Sequence, residues 1–150
     1  MICCVTGHRT VLDKKINYVK TQLKEEAVLA IKDGYTNFIS GFADGVDLYF
    51  SEIIIELKKY YPEIKLAAAI PYRDRVKTPN KQFQQLILQC DFIKVISEKY
   101  FNGCFMKRNR WMVENTGRVI AVYDGRGKGG TYSTICYACD KKRELRIIEI

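Results

Sequence analysis

Apolar runs and amphipathic stretches alternate along this chain, and glycines mark most of the junctions between them. That alternation limits the fold more than any other feature. Strand and helix repeated in turn build a mainly parallel sheet with helices on both faces. Residues 2–5 form a short apolar run ending at Thr6-Gly7. From 13 to about 32, apolar residues recur at Ile16, Val19, Leu23, Ala27, Ala30 and Ile31, a helical spacing with Asp13 as cap and Gly34 as stop. Asn37–Ser40 reads as a second strand, 46–59 as a helix, and 64–70 as a strand apolar on both faces, as parallel strands are. A polar connection over 71–79, with Arg73, Asp74 and Arg75, is long enough to be functional. Then come a helix over 82–90, a strand over 92–96, a loop over 97–103 and a helix over 105–115. A strand over 119–123, a helix from Gly129 to about 142 and a short strand over 145–148 complete the chain. No repeat, linker or low-complexity stretch interrupts it, so residues 1–150 are expected to form one α/β domain.

Ligands on such sheets bind beyond the carboxyl ends of the strands, where the strand order switches. Three loops expected at that edge carry the chain's chemistry. They are Thr6-Gly7-His8-Arg9, Ser40-Gly41-Phe42-Ala43-Asp44-Gly45-Val46-Asp47 and Gly127-Lys128-Gly129-Gly130-Thr131. Glycine lets a backbone approach a ligand closely, and a helix start offers free N–H groups with a partial positive charge. Together these hold phosphate. Gly129, Gly130 and Thr131, with Arg126 and Lys128 beside them, are read as the phosphate site. Thr6, Gly7, Gly41, Asp44 and Asp47 are read as the ribose side, because two acids oppose phosphate but suit hydroxyls or a cation, and Gly45 of the same loop is counted among the ligand-binding residues. A tight turn and an N-cap account for Asp44 and Asp47 equally well. His8, the sole histidine, is placed for a ligand contact, as is Arg9, but has no visible partner for general-base work. Arg108 and Arg110 are two apart on a helix and cannot point the same way; Trp111 and Met112 beside them suit a core face. Tyr72, Tyr100 and Phe101 stand where a base could stack, or where a lid or interface could form.

The net charge of +8 favours anionic partners. Lys14, Lys15, Lys20, Lys24, Lys58 and Lys59 instead fall on helix faces that read as solvated. No apolar run reaches the length of a membrane span and no signal-peptide pattern is present, so a cytoplasmic protein without membrane contact is expected. Cysteines are then expected as reduced thiols, with Cys3, Cys4, Cys90 and Cys136 packed as small hydrophobes. Cys136-x-x-Cys139 is the one metal-like spacing, and zinc would need two further ligands, so no metal is expected. A homo-oligomer is compatible with all of this.

The loops at Thr6-Gly7-His8-Arg9 and Ser40 to Asp47, then Arg108-x-x-x-Met112 and Gly129-Gly130-Thr131, resemble in order and spacing the SLOG superfamily. This Rossmann-like group holds the Smf/DprA DNA-uptake proteins and the LOG phosphoribohydrolases. Within it the resemblance is to the small YpsA-like, DUF1273-type proteins, and it covers nearly the whole chain. It implies a single Rossmann-like domain and a nucleotide-type ligand at the two Gly-rich loops. In LOG enzymes a catalytic glutamate directly follows the Gly-Gly-x-Gly-Thr loop, and an arginine sits on the preceding helix. Arg108 matches that arginine. The glutamate has no match among Tyr132, Ser133 and Thr134, and Asp124-Gly125-Arg126 stands where the family carries a proline. Glycosidic-bond hydrolysis would need an acid from Asp44, Asp47 or Asp124. Arg108 and Asp47 are the catalytic candidates on that reading. The expectation is therefore binding, with a sensing role, of a nucleotide or nucleotide-derived small molecule, and no other cofactor. LOG-like hydrolysis of nucleoside monophosphates is the alternative. DprA-like binding of single-stranded DNA ranks last, because no aromatic-rich groove is visible.

Overall fold

A computed structural model describes residues 1–150. In chain order the elements are β1 (Ile2–Thr6), α1 (Asp13–Lys32), β2 (Asn37–Ser40), α2 (Val46–Leu57) and β3 (Lys65–Ile70). A 3-10 turn (Arg73–Lys77), α3 (Lys81–Ile87), β4 (Phe92–Val95), α4 (Cys104–Glu114), β5 (Arg118–Tyr123), α5 (Gly130–Asp140) and β6 (Glu144–Glu149) follow. All six strands run parallel in one sheet, ordered β4-β3-β2-β1-β5-β6. β2, β3 and β4 step outwards to one side of β1; the chain then crosses back and lays β5 against its other side. In β1, Cys3 pairs with Phe38 on one flank and with Arg118 on the other. The order switches between β1 and β5, and that is where a crevice opens at the carboxyl ends.

Side chains of a strand alternate between faces, and the two faces carry different helices. Cys3 and Val5 point with Phe38, Leu66, Ala68 and Ile120 towards Val19, Leu23, Phe50 and Phe83 of α1, α2 and α3. Cys4, Ile39, Ala69 and Val119 point the other way, towards Met112 and Val113 of α4 and Ala138 of α5. This is the single Rossmann-like domain the alternation implies.

Several local expectations are corrected. Asp13 does not cap α1; Leu12 holds the N-cap position without a side-chain bond, and Asp13 adds only its charge to the first turn. Gly34 does end α1, at φ 98°: the Tyr35 N–H reaches Ala30 O at 2.9 Å and the Gly34 N–H reaches Ile31 O at 3.0 Å. α3 starts one residue early because the Asn80 side chain caps it, accepting from the Phe83 N–H at 3.0 Å, and it ends at Ile87, short of the expected 90. Lys58 is not on a solvated face: it is half-buried and bonds Asp91 at 2.7 Å. Lys15 is half-buried as well. Cys3, Cys4 and Cys104 are buried and Cys90 is half-buried, but Cys136 and Cys139 are exposed on α5, so Cys136 is not a packed hydrophobe. No helix is long and apolar enough to cross a membrane.

Candidate functional site

The loops after β1, β2 and β5 converge beyond the switch point. Thr6, Gly7, His8, Arg9, Asp47, Arg108, Arg126, Lys128, Gly129, Gly130 and Thr131 all line one cavity of about 380 Å³. Arg9 and Arg108 also line an adjoining cavity of about 400 Å³, which takes in Gly41 and Asp44. Gly45 lines neither. Its place is set by packing: at φ 82°, a Cβ there would stand 2.7 Å from His8 O. Gly7 is likewise pressed by α2, since a Cβ would stand 2.6 Å from Val46 Cβ.

The floor between the cavities is Arg108. This residue is 4% exposed. Its Nη1 donates to Gly41 O at 2.6 Å and to Ala69 O at 3.2 Å, and its Nε to Asn109 Oδ1 at 2.8 Å. Nη2 has no partner in the protein. The one fully buried unpartnered side-chain nitrogen or oxygen in the chain is Arg118 Nη1, so Nη2 of Arg108 opens onto the cavities. Burial lowers the Arg108 pKa, against the pull of Asp47.

Asp47, 7% exposed, lies beside it. Its Oδ2 accepts from the Ala43 N–H at 3.2 Å, and its Oδ1 has no protein partner. Neither Asp47 nor Asp44 caps α2; Gly45 occupies that N-cap without a side-chain bond. Burial pushes the Asp47 carboxyl up to about 6, although Arg108, the Ala43 N–H and Arg9 all pull it down. The loop reaches Ala43 through Phe42, a non-glycine residue at φ 54°. Such a conformation costs about 1–2 kcal/mol. It is held by a T-shaped contact with Phe83, 5.5 Å between centroids, and by a bond from the Phe42 N–H to Ser40 Oγ at 3.2 Å.

His8 does have a partner. Its Nε2 accepts from the Asp124 N–H at 3.1 Å, with Asp124 Oδ1 at 3.3 Å. An accepting Nε2 is an unprotonated one, leaving the proton on Nδ1. Burial lowers the His8 pKa, Asp124 works against that, and Arg126 adds to it. Arg126 proves less available than its position implies: its guanidinium lies on Asp124, with Nε at 3.0 and 2.9 Å from the two carboxylate oxygens. That bond holds the Asp124 carboxyl at about 2. Lys128 forms no ion pair, so it is the free cation of this loop. α5 begins after Gly129 at φ 98° with no side-chain cap, and its first N–H groups lack intrahelical acceptors.

A family model described as the YspA SLOG family (YpsA) matches residues 3–148. The chain belongs to this SLOG family. Curated relatives include UPF0398 proteins. That of Bacillus pumilus is 26% identical over 115 residues, covering 73% of this chain and 62% of its own length. That of Ligilactobacillus salivarius is 27% identical over 140 residues, covering 85% and 76%. Among solved structures, DNA processing protein A from Helicobacter pylori, described by its single-stranded DNA binding mode, superposes with a TM-score of 0.70 at 22% identity. The match covers 98% of this chain and 64% of that one. The structural-genomics target TM1055 gives 0.63 at 16% identity, over 96% of this chain and 71% of that one. At these identities the structures establish the fold. The chain spans less than two thirds of the B. pumilus and H. pylori proteins.

The cavities also take in the 71–79 connection, whose Tyr72, Asp74, Arg75, Lys77 and Thr78 wall the second one. Tyr72 is a stacking candidate from the sequence, and Asp74 and Arg75 belong to a stretch long enough to be functional; Lys77 and Thr78 carry no signal beyond that length. Phe105 lines both cavities, with Arg9 Cζ 5.0 Å from its ring centroid; nothing in the helical spacing marked it. Arg110 points away, over Tyr137. Tyr100 packs edge-on against Tyr72 outside the cavities, and Phe101 lines neither.

Proposed function

We propose that this SLOG domain binds a phosphorylated nucleoside or a derivative of one. The carrying observation is Arg108, a buried guanidinium whose Nη2 opens onto the cavities while its other nitrogens are fixed. A preorganised, desolvated arginine recognises phosphate strongly. The uncapped start of α5 and free Lys128 supply further anion donors on the same cavity. Thr6, Asp47 and the loop around Gly41 supply acceptors and donors for a sugar. Nucleotides should raise the melting temperature, and the matching nucleosides far less. At one hundred times its dissociation constant a ligand adds about 2.7 kcal/mol of stability. A broad panel of nucleotides and dinucleotides that leaves the melting curve unmoved sinks the proposal.

One observation favours a second reading, hydrolysis of an N-glycosidic bond. Asp47 presents a free oxygen to the cavity beside Arg108, with a carboxyl pKa of about 6. Such a group can give or take a proton near neutral pH. Water would add at the sugar carbon as the carbon–nitrogen bond breaks, and the departing base would take up a proton. Release of free base from nucleoside monophosphates, lost in Asp47→Asn, is the test. Single-stranded DNA is the third ligand to try, given the H. pylori relative's description and the charge of +8; its sign is steeply salt-dependent affinity.

A further inference from the structure

The cavity that holds the α5 start is only half of the space around Arg108. The second cavity, about 400 Å³, adjoins it and shares Arg9, Ala43, Phe105 and Arg108 with the first. Each falls within the size range of a small-molecule site. The second cavity is lined by four cations, Arg9, Arg75, Lys77 and Arg108, against two acids, Asp44 and Asp74. Both acids are already engaged. Asp44 accepts from Asn80 Nδ2 at 3.0 Å, and Asp74 pairs with Lys77 at 3.2 Å on the exposed rim. Arg75 reaches Asp44 only at 3.8 Å, and lies with its Cζ 5.1 Å from the Phe83 ring centroid. Arg9 has no hydrogen-bonded or ionic partner. It is held at the waist between the cavities by the Phe105 ring. Lys77 is thus offset by Asp74, while unpaired Arg9 and loosely paired Arg75, beside Arg108, leave net positive charge on a concave surface that fits an anionic group.

Resting on the nucleotide reading above, we propose that the ligand carries two phosphoryl groups. One sits in the cavity at the α5 start, and the other sits in the second cavity against Arg9, Arg75 and Arg108. Arg9 and Arg108 bridge the two halves. The shared chemistry is the second phosphoryl group. It can be contiguous with the first, as in a diphosphate or a pyrophosphate link, or separated from it by the sugar, as in a bisphosphate.

The experiment is calorimetric titration of the intact chain at fixed ionic strength with adenosine and guanosine 5′-monophosphates, 5′-diphosphates and 3′,5′-bisphosphates, and with a pyrophosphate-linked dinucleotide. In at least one base series a two-phosphoryl ligand is expected to bind about tenfold or more tighter than the monophosphate, the scale of one added charge-assisted contact. The separated or contiguous arm that gains identifies the spacing. The paired change Arg75→Gln with Lys77→Gln should collapse that ratio towards one, and so should Arg9→Gln alone. Melting of the unliganded variants checks that they fold. A ratio near one in the wild type, or a ratio unchanged in both variants, overturns the proposal while leaving monophosphate binding intact. Absence of binding by every probe overturns the nucleotide reading itself and this inference with it.

Discussion

The Arg108 guanidinium and the Asp47 carboxylate converge on the α-carbon of Gly41: a Cβ there would stand 2.8 Å from Arg108 Cζ and 2.8 Å from Asp47 Oδ2. The absent side chain is what lets an arginine from α4 and an acid from α2 both crowd the same point without forming an ion pair. Gly41→Ala should therefore push both groups apart and break the 2.6 Å bond from Arg108 Nη1 to Gly41 O. Overpacking of this kind costs about 1–3 kcal/mol. The expected outcome is a lower melting temperature and a weakened nucleotide response, read in the same thermal scan. An alanine variant that melts and binds like wild type would contradict the role given to this contact.

Asp47 makes stability depend on pH in an unusual direction. Its folded carboxyl lies near 6, above the ordinary 3.8, because burial outweighs the attraction of Arg108. The native state keeps that proton longer than the unfolded chain. The contribution is thus most favourable below about pH 4, declines as pH rises to about 6, and stays low above. Asp47→Asn keeps an acceptor for the Ala43 N–H and removes the charge. At pH 7.5 the variant should be more stable than wild type by roughly 2–3 kcal/mol, the value of that shift. The gap should close on acidification to pH 4. Urea titrations at the two pH values check this, and a variant less stable than wild type at pH 7.5 would reverse the assignment.

Gly130 is the first residue of α5, and a Cβ added there would meet nothing nearer than Asn109 Nδ2 at 4.0 Å. Gly130→Asp should therefore fold normally. Its carboxylate would stand where the phosphate is proposed, and each lost charge-assisted bond costs about 1.5–3 kcal/mol. Unchanged circular dichroism with abolished nucleotide binding is expected. Normal binding by this variant would move the ligand away from α5.

His8 should titrate below the ordinary 6.5, since burial lowers its pKa and its Nε2 already accepts the Asp124 N–H. The native state binds that proton less readily than the unfolded chain, so stability falls as pH drops through about 6.5. This slope opposes that of Asp47 over the upper part of the acid range. The imidazole resonances of the chain's one histidine report the titration directly by NMR; a midpoint above 6.5 would mean that Asp124 dominates.

Thiol accessibility should sort the cysteines into classes. Cys136 and Cys139 are exposed and should react at once in the native protein. Cys3, Cys4 and Cys104 are buried and should react only on unfolding, with burial raising the thiols of Cys3 and Cys4, the latter up to about 12. Cys90, half-buried and also pushed up to about 12, should lag behind the first pair.

The strand and helix alternation was legible because period-2 and period-3.6 patterns are local, and so were the glycine loops of 40–47 and 127–131. Arg108 was legible by its spacing to Met112, but not by what it touches. Its partner Gly41 lies 67 residues away, and its second acceptor, Ala69 O, is a backbone atom with no side-chain signature. Tyr72 and Arg75 stand out in the sequence as loop residues, but the wall they form with Lys77 does not, because a 3-10 turn has no hydrophobic period to announce which way it faces. The pairing of Arg126 with Asp124 was not legible, because Asp124 reads from the sequence as a possible acid and not as a counter-ion.

The pairing of Cys3 with Arg118 also has a temporal side. A nascent chain can zip β1 to β4 together as they emerge, but β1 keeps one edge bare until β5 has been synthesised. Closing that edge joins segments more than 100 residues apart in sequence, a slow and entropically costly step. The pocket is assembled by the same event, because Thr6 and His8 come from one side of the seam and Gly130 and Thr131 from the other. A ligand spanning the seam binds only after it has closed, and so acts as a latch on the completed chain.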